Sequence, residues 1–468
     1  MAHMAAVILA AGKGTRMMSS LPKVLHQVCG KPMISHVISA AYQSGIKEII
    51  LVVGHESEEI MTFLDTQEVQ SNYSRKYVKQ IPQLGTGHAL QQAMPAIDSD
   101  NQTVLVLCGD TPLLTMQSLC QLRDHFELTQ AACTVLSACL SHPTGYGRLI
   151  RKQDGSLSKI VEEKDANQEE KTVMEINTGT YCFRMDALSQ VIHSLKSNNA
   201  QGEYYLTDVI EALVARDCLV NAMVVPDAEE IMGVNDRKQL AFAAEVLRCR
   251  KNEALMLSGV TIVDPATTYI DCDVAIKPDT VIEPQTILKG KTKIGSGCII
   301  GPATEITDCM IGCNCQIKHS VLWEATVGDD CPIGPFAYLR PGTVLSDKVK
   351  IGDFVEVKNS IVGEGSKIPH LSYVGDSQIG KKVNVGCGTI TCNYDGFAKY
   401  PTVIEDGVFI GSNTSLVAPI KVGKDALVAA GSTLTQDVPA NALSFGRAKQ
   451  KNIEGGAPKW REDKTKEK

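Results

Sequence analysis

Residues 404–434 read IEDGVFIGSNTSLVAPIKVGKDALVAAGSTL, and every sixth position of this stretch is aliphatic. The positions are Ile404, Ile410, Leu416, Val422, Val428 and Leu434. A strict six-residue period is typical of a parallel β-helix, in which each hexad forms one side of a coil and points its aliphatic side chain inward. The stretch therefore predicts a β-helix built from hexapeptide repeats, which we expect to be left-handed.

The same period extends toward the N-terminus of this region, often with glycine after the aliphatic residue. Examples are Ile294-Gly295, Ile300-Gly301, Val327-Gly328, Ile333-Gly334, Ile379-Gly380 and Val385-Gly386. We assign residues 258–468 to the β-helix domain, with a solvated, flexible tail from Lys459 to Lys468. Residues 392–400 break the period, so this insertion must leave the stack. It is either a plain surface loop or a loop that builds a binding site against a neighbouring subunit.

The N-terminal half follows a different pattern. Residues 5–12, 48–54 and 103–110 read AAVILAAG, EIILVVG and TVLVLCGD, and each is followed by helical spacing. Short apolar runs that alternate with helices predict an α/β domain with a parallel, Rossmann-like sheet, which we assign to residues 1–233. Ligands of such sheets bind at the carboxyl ends of the strands, so the polar residues there form the candidate site. Residues 234–257 have apolar residues at helical spacing and predict a linking helix.

Composition excludes several classes of protein. The 468 residues include 46 Lys and Arg against 53 Asp and Glu, and the resulting net charge of −7 argues against a nucleic-acid binder. No apolar run approaches the roughly 18 to 20 residues of a membrane span. The N-terminus lacks the basic and long apolar regions of a secretory signal. We therefore expect a cytoplasmic protein with neither a membrane nor a nucleic-acid partner.

The 16 cysteines are scattered over a long chain, which favours reduced thiols over a disulfide framework. One cluster could be imagined as a zinc site. It comprises Cys309, Cys313, Cys315, His319 and Cys331. Because the cluster contains no paired C-x-x-C and the hexapeptide repeat explains its positions better, we expect no zinc there.

The first apolar run leads into LAAGKGTRM at residues 9–17, with Pro22-Lys23 shortly after it. Small residues and successive amide donors at a strand-to-helix turn suit a phosphate group. Met17 stands at the third glycine position of the G-x-G-x-x-G pattern, and the P-loop pattern does not fit either. A dinucleotide-dependent dehydrogenase and an ordinary NTPase therefore lose support.

This motif resembles the opening of the sugar-nucleotide pyrophosphorylases, which transfer nucleotidyl groups to sugar 1-phosphates. Further matching segments follow in order, at residues 80–89, 108–110, 145–148, 162–164, 175–179 and 233–235. The resemblance implies that a sugar-phosphate oxygen attacks the α-phosphorus of a nucleoside triphosphate while pyrophosphate leaves. In such a reaction alignment and charge stabilisation matter more than a protein nucleophile.

The resemblance also implies roles for individual residues. Asp110 and Asn235 would bind Mg²⁺, a hard cation that prefers oxygen ligands. Arg16 and Lys23 would be catalytic groups that stabilise charge on the triphosphate, and Gln80 would contact the uracil of UTP. The full set of implied nucleotide and sugar contacts is Leu9, Ala10, Ala11, Gly12, Lys23, Gln80, Gly85, Thr86, Cys108, Gly109, Asp110, Gly147, Glu162, Asn177 and Asn235.

Segments outside the repeat pattern carry a second resemblance. They are LRPG at 339–342, FVEVK at 354–358, HLSYVGD at 370–376 and NYDG at 393–396. These segments look like the acetyltransferase half of the bacterial bifunctional N-acetylglucosamine-1-phosphate uridyltransferase/glucosamine-1-phosphate acetyltransferase family. Joined to a pyrophosphorylase half, they extend the resemblance from Ala5 to about Arg447. The resemblance implies acetyl-CoA and UTP as co-substrates.

Acetyl transfer to an amine needs a base, because the nitrogen must lose a proton as it attacks the thioester. Histidine titrates in the right range, and the resemblance implies that His370 is this base. It also implies sugar-phosphate contacts for Arg340, Lys358, Tyr373 and Asn384, and acetyl-CoA contacts for Cys387, Asn393, Tyr394, Ser412, Ala430 and Arg447. The family commonly has alanine at the position of Cys387, and we favour a substitution in a slot for a small residue over an acyl-cysteine mechanism.

Together the two halves imply an enzyme that acetylates glucosamine 1-phosphate and then uridylylates the product to UDP-N-acetylglucosamine. The resemblance places this product in peptidoglycan and lipopolysaccharide synthesis and implies a homotrimer. Two other hypotheses are a pyrophosphorylase whose β-helix only assembles or regulates, and a noncatalytic scaffold with degenerate sites. His370 and Lys358 oppose the first, and Asp110 and Asn235 oppose the second.

Overall fold

The computed structural model describes residues 3–54, 57–67 and 72–466. The chain divides into two compact units, Met1–Arg250 and Lys251–Lys468. The division lies inside the helix Arg237–Leu257, which occupies most of the segment where the sequence predicts a linking helix. Among the described residues, no helix is both long enough and apolar enough to cross a membrane.

The first unit is built around one twisted sheet with helices packed on it. The strands of this unit are β1 Met4–Ala10, β2 Gln27–Val28, β3 Lys31–Pro32, β4 Glu48–Val53, β5 Ser74–Lys79, β6 Thr103–Cys108, β7 Cys133–Cys139, β8 Arg148–Arg151, β9 Leu157–Val161, β10 Glu175–Arg184 and β11 Val220–Val224. Strands β2 and β3 pair with each other in a separate two-stranded sheet. The helices of the chain are α1 Met33–Gln43, α2 Ser57–Gln67, α3 Thr86–Ala93, α4 Met116–Thr129, α5 Met185–Val191, α6 Asp208–Val214, α7 Arg237–Leu257 and α8 Gly456–Lys466.

The strands of the main sheet are ordered β11-β7-β10-β6-β1-β4-β5. Strands β1, β4, β5 and β6 are parallel, as the alternating pattern predicts, but β10 runs antiparallel to both β6 and β7. The sheet is therefore mixed rather than wholly parallel. Because Leu9 of β1 lies opposite Cys108 of β6, the carboxyl ends of these two central strands lie side by side. This edge is where the sequence predicts the site.

The second unit is a parallel β-helix with three sheets, here called sheets 1, 2 and 3. Sheet 1 contains Thr261–Ile262, Val281–Ile282, Ile299–Ile300, Gln316–Ile317, Pro332–Ile333, Lys350–Asp353, Lys367–His370, Asn384–Val385, Phe409–Ile410, Leu427–Val428 and Leu443–Ser444. Sheet 2 contains Tyr269–Ile270, Ile287–Lys289, Glu305–Thr307, Val321–Trp323, Tyr338–Leu339, Glu356–Lys358, Tyr373–Gly375, Ile390–Cys392, Ser415–Val417 and Thr433–Leu434. Sheet 3 contains Ala275–Ile276, Lys293–Ile294, Met310–Ile311, Thr326–Val327, Val344–Leu345, Ile361–Val362, Ser377–Ile379, Thr402–Ile404 and Ile420–Val422.

The six-residue period maps directly onto these sheets. Ile410 pairs with Val428 in sheet 1, and Leu416 pairs with Leu434 in sheet 2. In sheet 3, Ile404 pairs with Val422, and all six side chains are buried in one continuous core. Three hexads thus complete one coil, and the hexapeptide β-helix predicted from the sequence is confirmed.

Two irregular segments leave the stack. The insertion at residues 393–401 lies between a strand of sheet 2 and a strand of sheet 3, and it folds back on itself through a bridge between Tyr394 and Lys399. Near the C-terminus, α8 begins at Gly456, runs into the predicted tail and has no buried residue.

All 16 cysteines are free thiols, and the described residues contain no group of three or more His, Cys, Asp or Glu side chains that could hold a metal ion. Cys298, Cys315 and Cys331 occupy buried positions on successive coils and donate to backbone carbonyls. The repeat thus accounts for these three cysteines.

Candidate functional sites in the two units

Four polar side chains converge where β1 and β6 end. Arg16 and Lys23 belong to short 3-10 turns after β1, Asp110 follows β6, and Asn235 precedes α7. The Lys23 ammonium donates to Asp110 Oδ2 and, at 2.7 Å, to Asn235 Oδ1, which also accepts a 2.9 Å bond from Arg16. Asp110 and Asn235, the predicted Mg²⁺ ligands, therefore both accept from the same cation, the Lys23 ammonium. A carboxylate and an amide oxygen in this arrangement suit a hard divalent cation.

The first turn of α7 anchors this cluster. Gln239 Oε1 accepts the backbone N–H of Asn235 at 2.7 Å, which fixes the approach of the chain to the helix. Arg237 Nε donates to the Met17 carbonyl at 3.2 Å, and its Nη1 lies 3.3 Å from His26 Nδ1. Burial first and then the Arg237 charge lower the pKa of His26, so the neutral ring accepts from the guanidinium.

A cavity of about 490 Å³ opens beside the cluster. Its walls include ten of the predicted contacts: Leu9, Ala10, Ala11, Gly12, Lys23, Gln80, Gly85, Thr86, Cys108 and Asp110. Gly85 is in the left-handed region with a φ of 104°, and a Cβ on it would come within 2.7 Å of the Tyr204 carbonyl. Glycine is therefore required at this wall. Such a volume, lined by backbone and small side chains, suits a nucleotide.

Two glutamines border this cavity. Gln80 follows β5, and its Nε2 donates to the Gly85 carbonyl at 2.9 Å and lies 3.1 Å from His88 Nδ1. Gln83 donates to the Ala11 carbonyl at 2.5 Å, directly in the glycine-rich turn. Gln83 is absent from the predicted contacts, although it stands inside a segment that carries the family resemblance.

The predicted sugar contacts lie on the neighbouring strands. The Asn177 N–H donates to the Gly147 carbonyl at 2.8 Å, and a Cβ on Gly147 would lie 3.5 Å from Glu162 Oε1. Burial raises the pKa of Glu162, whose carboxylate accepts a 3.3 Å bond from Thr207. Burial also raises the pKa of the Cys108 thiol to about 12, so this thiol stays protonated in the wall of the cavity.

The predicted base and three predicted acetyl-CoA contacts share one edge of the β-helix, between sheets 1 and 2. Each stands two residues after a paired aliphatic residue of sheet 1. We call this edge the corner column; it comprises Asp353, His370, Cys387, Ser412 and Ala430. Small residues allow close stacking here, because a Cβ on Gly386 would lie 2.6 Å from the Ser412 nitrogen. Ser412 and Ala430 stand one coil apart, because each follows by two positions a residue of the pair Ile410 and Val428.

His370 has a carboxylate partner that the sequence analysis missed. Asp353 lies at the same register position one coil earlier, and its Oδ1 is 2.5 Å from His370 Nδ1. The imidazole lowers the pKa of Asp353, so the carboxylate remains ionised. Because an ionised carboxylate can only accept, the His370 Nδ1–H donates to Asp353, and Nε2 is the ring nitrogen left for another partner. The spacing of one coil, 17 residues, is the signal that could have found it.

The predicted phosphate contacts project from sheet 2. Arg340 pairs with Glu356 at 2.8 Å, and Lys358 stands in the next coil. A neighbouring ammonium, that of Lys399 in the 393–401 insertion, lowers the pKa of Lys358. Crowding of cations on an open surface indicates an anion site. The sequence analysis also missed Lys399, because only the folded insertion brings it to Lys358.

The remaining predicted contacts of the second unit are Tyr373, Asn384, Asn393, Tyr394 and Arg447. A Cβ on Gly375 would lie 2.4 Å from the Tyr373 hydroxyl and 2.8 Å from Asn393 Nδ2, so these two side chains flank one glycine. Asn384 is on sheet 1, on the opposite side of the corner column. Tyr394 is exposed, and Arg447 Cδ lies 3.8 Å from a Cβ built on Gly431. Both Tyr394 and Arg447 are exposed to solvent.

Comparisons with known proteins find related domains along the chain. The MobA-like NTP transferase domain matches residues 6–174, the GMPPB C-terminal domain matches residues 262–353, and the hexapeptide repeat of succinyl-transferase matches residues 401–436. The chain is 53% identical to "Bifunctional protein GlmU" of Syntrophomonas wolfei over 96% of the chain and 99% of that protein. It is 54% identical to the protein of the same name from Carboxydothermus hydrogenoformans, with the same two shares.

Proposed function

The chain belongs to the GlmU family of bifunctional proteins, and on that premise we propose how its residues carry out the two reactions. The enzyme makes UDP-N-acetylglucosamine. An acetyl group passes from acetyl-CoA to glucosamine 1-phosphate, and a uridylyl group then passes from UTP to the product with release of pyrophosphate. The observation that carries our assignment of residues is the presence of two separate constellations, Lys23 with Asp110 and Asn235 in the first unit and Asp353 with His370 in the second.

We assign uridylyl transfer to the edge of the sheet in the first unit. The phosphate oxygen of N-acetylglucosamine 1-phosphate attacks the α-phosphorus of UTP, and the bond to the β-phosphate breaks with its electron pair on pyrophosphate. Arg16 and Lys23 stabilise the charge of the phosphates, while Glu162 and Asn177 hold the sugar. No proton needs to move, so alignment and electrostatics carry the rate.

Mg²⁺ is part of this proposal, with Asp110 and Asn235 as its ligands. When bound there, the ion supplies charge neutralisation on the phosphates. The fit rests on the ligand atoms. In this structure an oxygen of Asp110, after β6, and an oxygen of Asn235, before α7, both accept from the Lys23 ammonium. Lys23, which contacts both, remains available to the triphosphate.

We assign acetyl transfer to the corner column and the adjoining face of sheet 2. The amine of glucosamine 1-phosphate attacks the thioester carbonyl, His370 Nε2 takes the proton, and the carbon–sulfur bond breaks to release CoA. Asp353 holds the ring in the tautomer that this step needs. Arg340 and Lys358 bind the sugar phosphate, with Lys399 as an additional cation. Cys387, Ser412 and Ala430 line the acetyl-CoA path along the column.

We further propose a homotrimer in the cytoplasm. One edge of the β-helix exposes stacked aromatic rings, with Phe336 and Phe354 centroids 5.2 Å apart and more than half of each side chain exposed. Neighbouring subunits would cover such an apolar edge. The exposed Tyr394 and Arg447 then meet a partner subunit at the acetyl-CoA site.

One assay tests both assignments. Purified protein receives glucosamine 1-phosphate, acetyl-CoA, UTP and Mg²⁺, and free thiol, pyrophosphate and sugar nucleotide are followed separately. Thiol and pyrophosphate together with UDP-N-acetylglucosamine are the expected products. Pyrophosphate that forms only when N-acetylglucosamine 1-phosphate is supplied would leave a pyrophosphorylase with a silent β-helix. The absence of both products would favour a scaffold.

A further inference from the structure

The side chain of Gln80 has a hydrogen-bond acceptor left for a ligand of the nucleotide cavity. Its carboxamide has two N–H donors and one oxygen acceptor. Nε2 lies 2.9 Å from the Gly85 carbonyl and 3.1 Å from His88 Nδ1, so both donors have partners. Among the described residues, none donates to Gln80 Oε1, and this side chain borders the cavity beside Ala11 and Gly12. The amide is therefore fixed with an acceptor left for a ligand.

His88 can hold the amide in this way in one tautomer only. The Gly85 carbonyl already requires Nε2 of Gln80 on its side, so the second N–H meets His88 Nδ1. Nδ1 must then accept, and the ring proton sits on Nε2. Gln92 Nε2 lies 3.3 Å from this ring nitrogen, so in this tautomer the exposed Gln92 amide has to turn its Oε1 to the ring. His88 is held at the third position of α3, and its ring lies 6.3 Å from that of Tyr204.

An oxygen acceptor discriminates between pyrimidines. Uracil carries a proton on N3 and can donate to Oε1, whereas N3 of cytosine carries a lone pair that Oε1 would repel. Thymine shares the N3 proton, so this contact alone separates uracil and thymine from cytosine. A site that leaves a polar group unpaired against the wrong base rejects that base more strongly than a loose apolar pocket does.

We propose that His88 is a positioning residue for nucleobase selection: by engaging the second N–H of Gln80, it keeps Oε1 turned to the cavity and favours a pyrimidine with a proton on N3. This rests on the proposed function, in which Gln80 meets the uracil of UTP. His88 itself does not touch the base. Its loss frees one N–H of Gln80 and lets the amide turn between donor and acceptor.

In the experiment, UTP and CTP compete as donors in nucleotidyl transfer to N-acetylglucosamine 1-phosphate. Mass spectrometry then measures the amounts of the uridine and cytidine sugar nucleotides. The product ratio gives the ratio of the two kcat/KM values and does not depend on the fraction of folded enzyme. His88→Leu should lower the preference for UTP about tenfold, the usual effect of one lost hydrogen bond. His88→Asn, whose Oδ1 can replace Nδ1 as acceptor, should restore most of the preference.

Two further variants separate the possible failures. Gln43→Ala removes an exposed glutamine of α1 in the same unit, so it is the matched control and should leave the ratio unchanged. Gln80→Leu should abolish the preference whatever stands at position 88. If Gln80→Leu lowers the ratio and His88→Leu does not, the role of His88 is overturned while the uracil subsite stands. If neither variant changes the ratio, the subsite itself is wrong, and an equal loss in His88→Asn and His88→Leu would reduce His88 to a packing residue.

Discussion

Asp353 and His370 occupy the same register position in neighbouring coils of the β-helix, with Oδ1 of one 2.5 Å from Nδ1 of the other. Parallel coils place such pairs one above the other, so the backbone itself fixes the contact. Cys387, Ser412 and Ala430 continue the same corner column in the coils that follow. A carboxylate that orients an imidazole is the arrangement a general base needs.

Asp353→Ala should slow acetyl transfer about ten- to a hundredfold, because His370 loses the acceptor that fixes its tautomer and orientation. The loss should appear in kcat, with little change in KM for acetyl-CoA. Thiol release at saturating substrates measures it. Asp353→Asn should recover part of the rate, since its amide oxygen can still accept from Nδ1. An unchanged kcat in Asp353→Ala would remove Asp353 from the mechanism.

The two activities should separate by mutation. His370→Ala should abolish acetylation and leave uridylyl transfer intact, whereas Asp110→Ala should do the reverse. Each variant is assayed for thiol and for pyrophosphate with the appropriate sugar phosphate, and gel filtration with light scattering confirms the assembly. Loss of both activities in either variant, with the assembly unchanged, would contradict the assignment of two independent sites.

Lys399→Ala should raise KM for glucosamine 1-phosphate about three- to tenfold with a smaller effect on kcat, because a surface cation contributes modestly to anion binding. Removal of the Lys399 ammonium should also let the pKa of Lys358 rise, because that neighbouring charge lowers it. Lys421→Ala is the control, since Lys421 is an exposed lysine of sheet 3 paired with Glu405. Equal KM values in wild type and Lys399→Ala would place the phosphate elsewhere.

Asp208 should make the first unit less stable as pH rises. Burial raises its pKa to about 6 from 3.8, so the folded chain keeps a proton that the unfolded chain has already lost. Between these values the folded state binds more protons, and the free energy of unfolding falls with increasing pH. For this half-buried group, Asp208→Asn should add about 1–2 kcal/mol at pH 8 and little at about pH 4.

Calorimetry of the full chain at the two pH values measures this gain. The exposed Glu169→Gln serves as control, because it removes a carboxylate of the same unit without relieving a buried charge. An equal change in the melting temperature at both pH values would show that Asp208 does not carry the effect.

Cys387 should behave as a small residue in the acetyl-CoA path and not as a nucleophile. Cys387→Ala should therefore retain acetyl transfer. In the wild type, a thiol reagent should add mass at Cys387 and inhibit the reaction only in the absence of acetyl-CoA. Loss of activity in Cys387→Ala would revive an acyl-cysteine mechanism, and full activity after confirmed alkylation would remove Cys387 from the cofactor path.

The sequence alone determined the β-helix and the sheet edge at which we propose the first site. Buried aliphatic residues recur at a fixed local interval, as Ile410, Leu416 and Val422 do, and burial of such side chains is required in every coil. The site at the ends of β1 and β6 was equally predictable, because a parallel sheet brings strand ends together. The antiparallel β10 was not, since a buried strand has the same composition in either direction.

Only the tertiary structure decided which side chains pair. Lys23 and Asn235 are 212 residues apart, and nothing local links them until α7 returns to the sheet edge. Lys399 reaches Lys358 through an insertion whose path the repeat does not specify. The orientation of Gln80 depends on a backbone carbonyl and a ring nitrogen that only the fold aligns. Hydrophobic periodicity is a local property, whereas hydrogen-bond partners depend on atomic distances between distant segments.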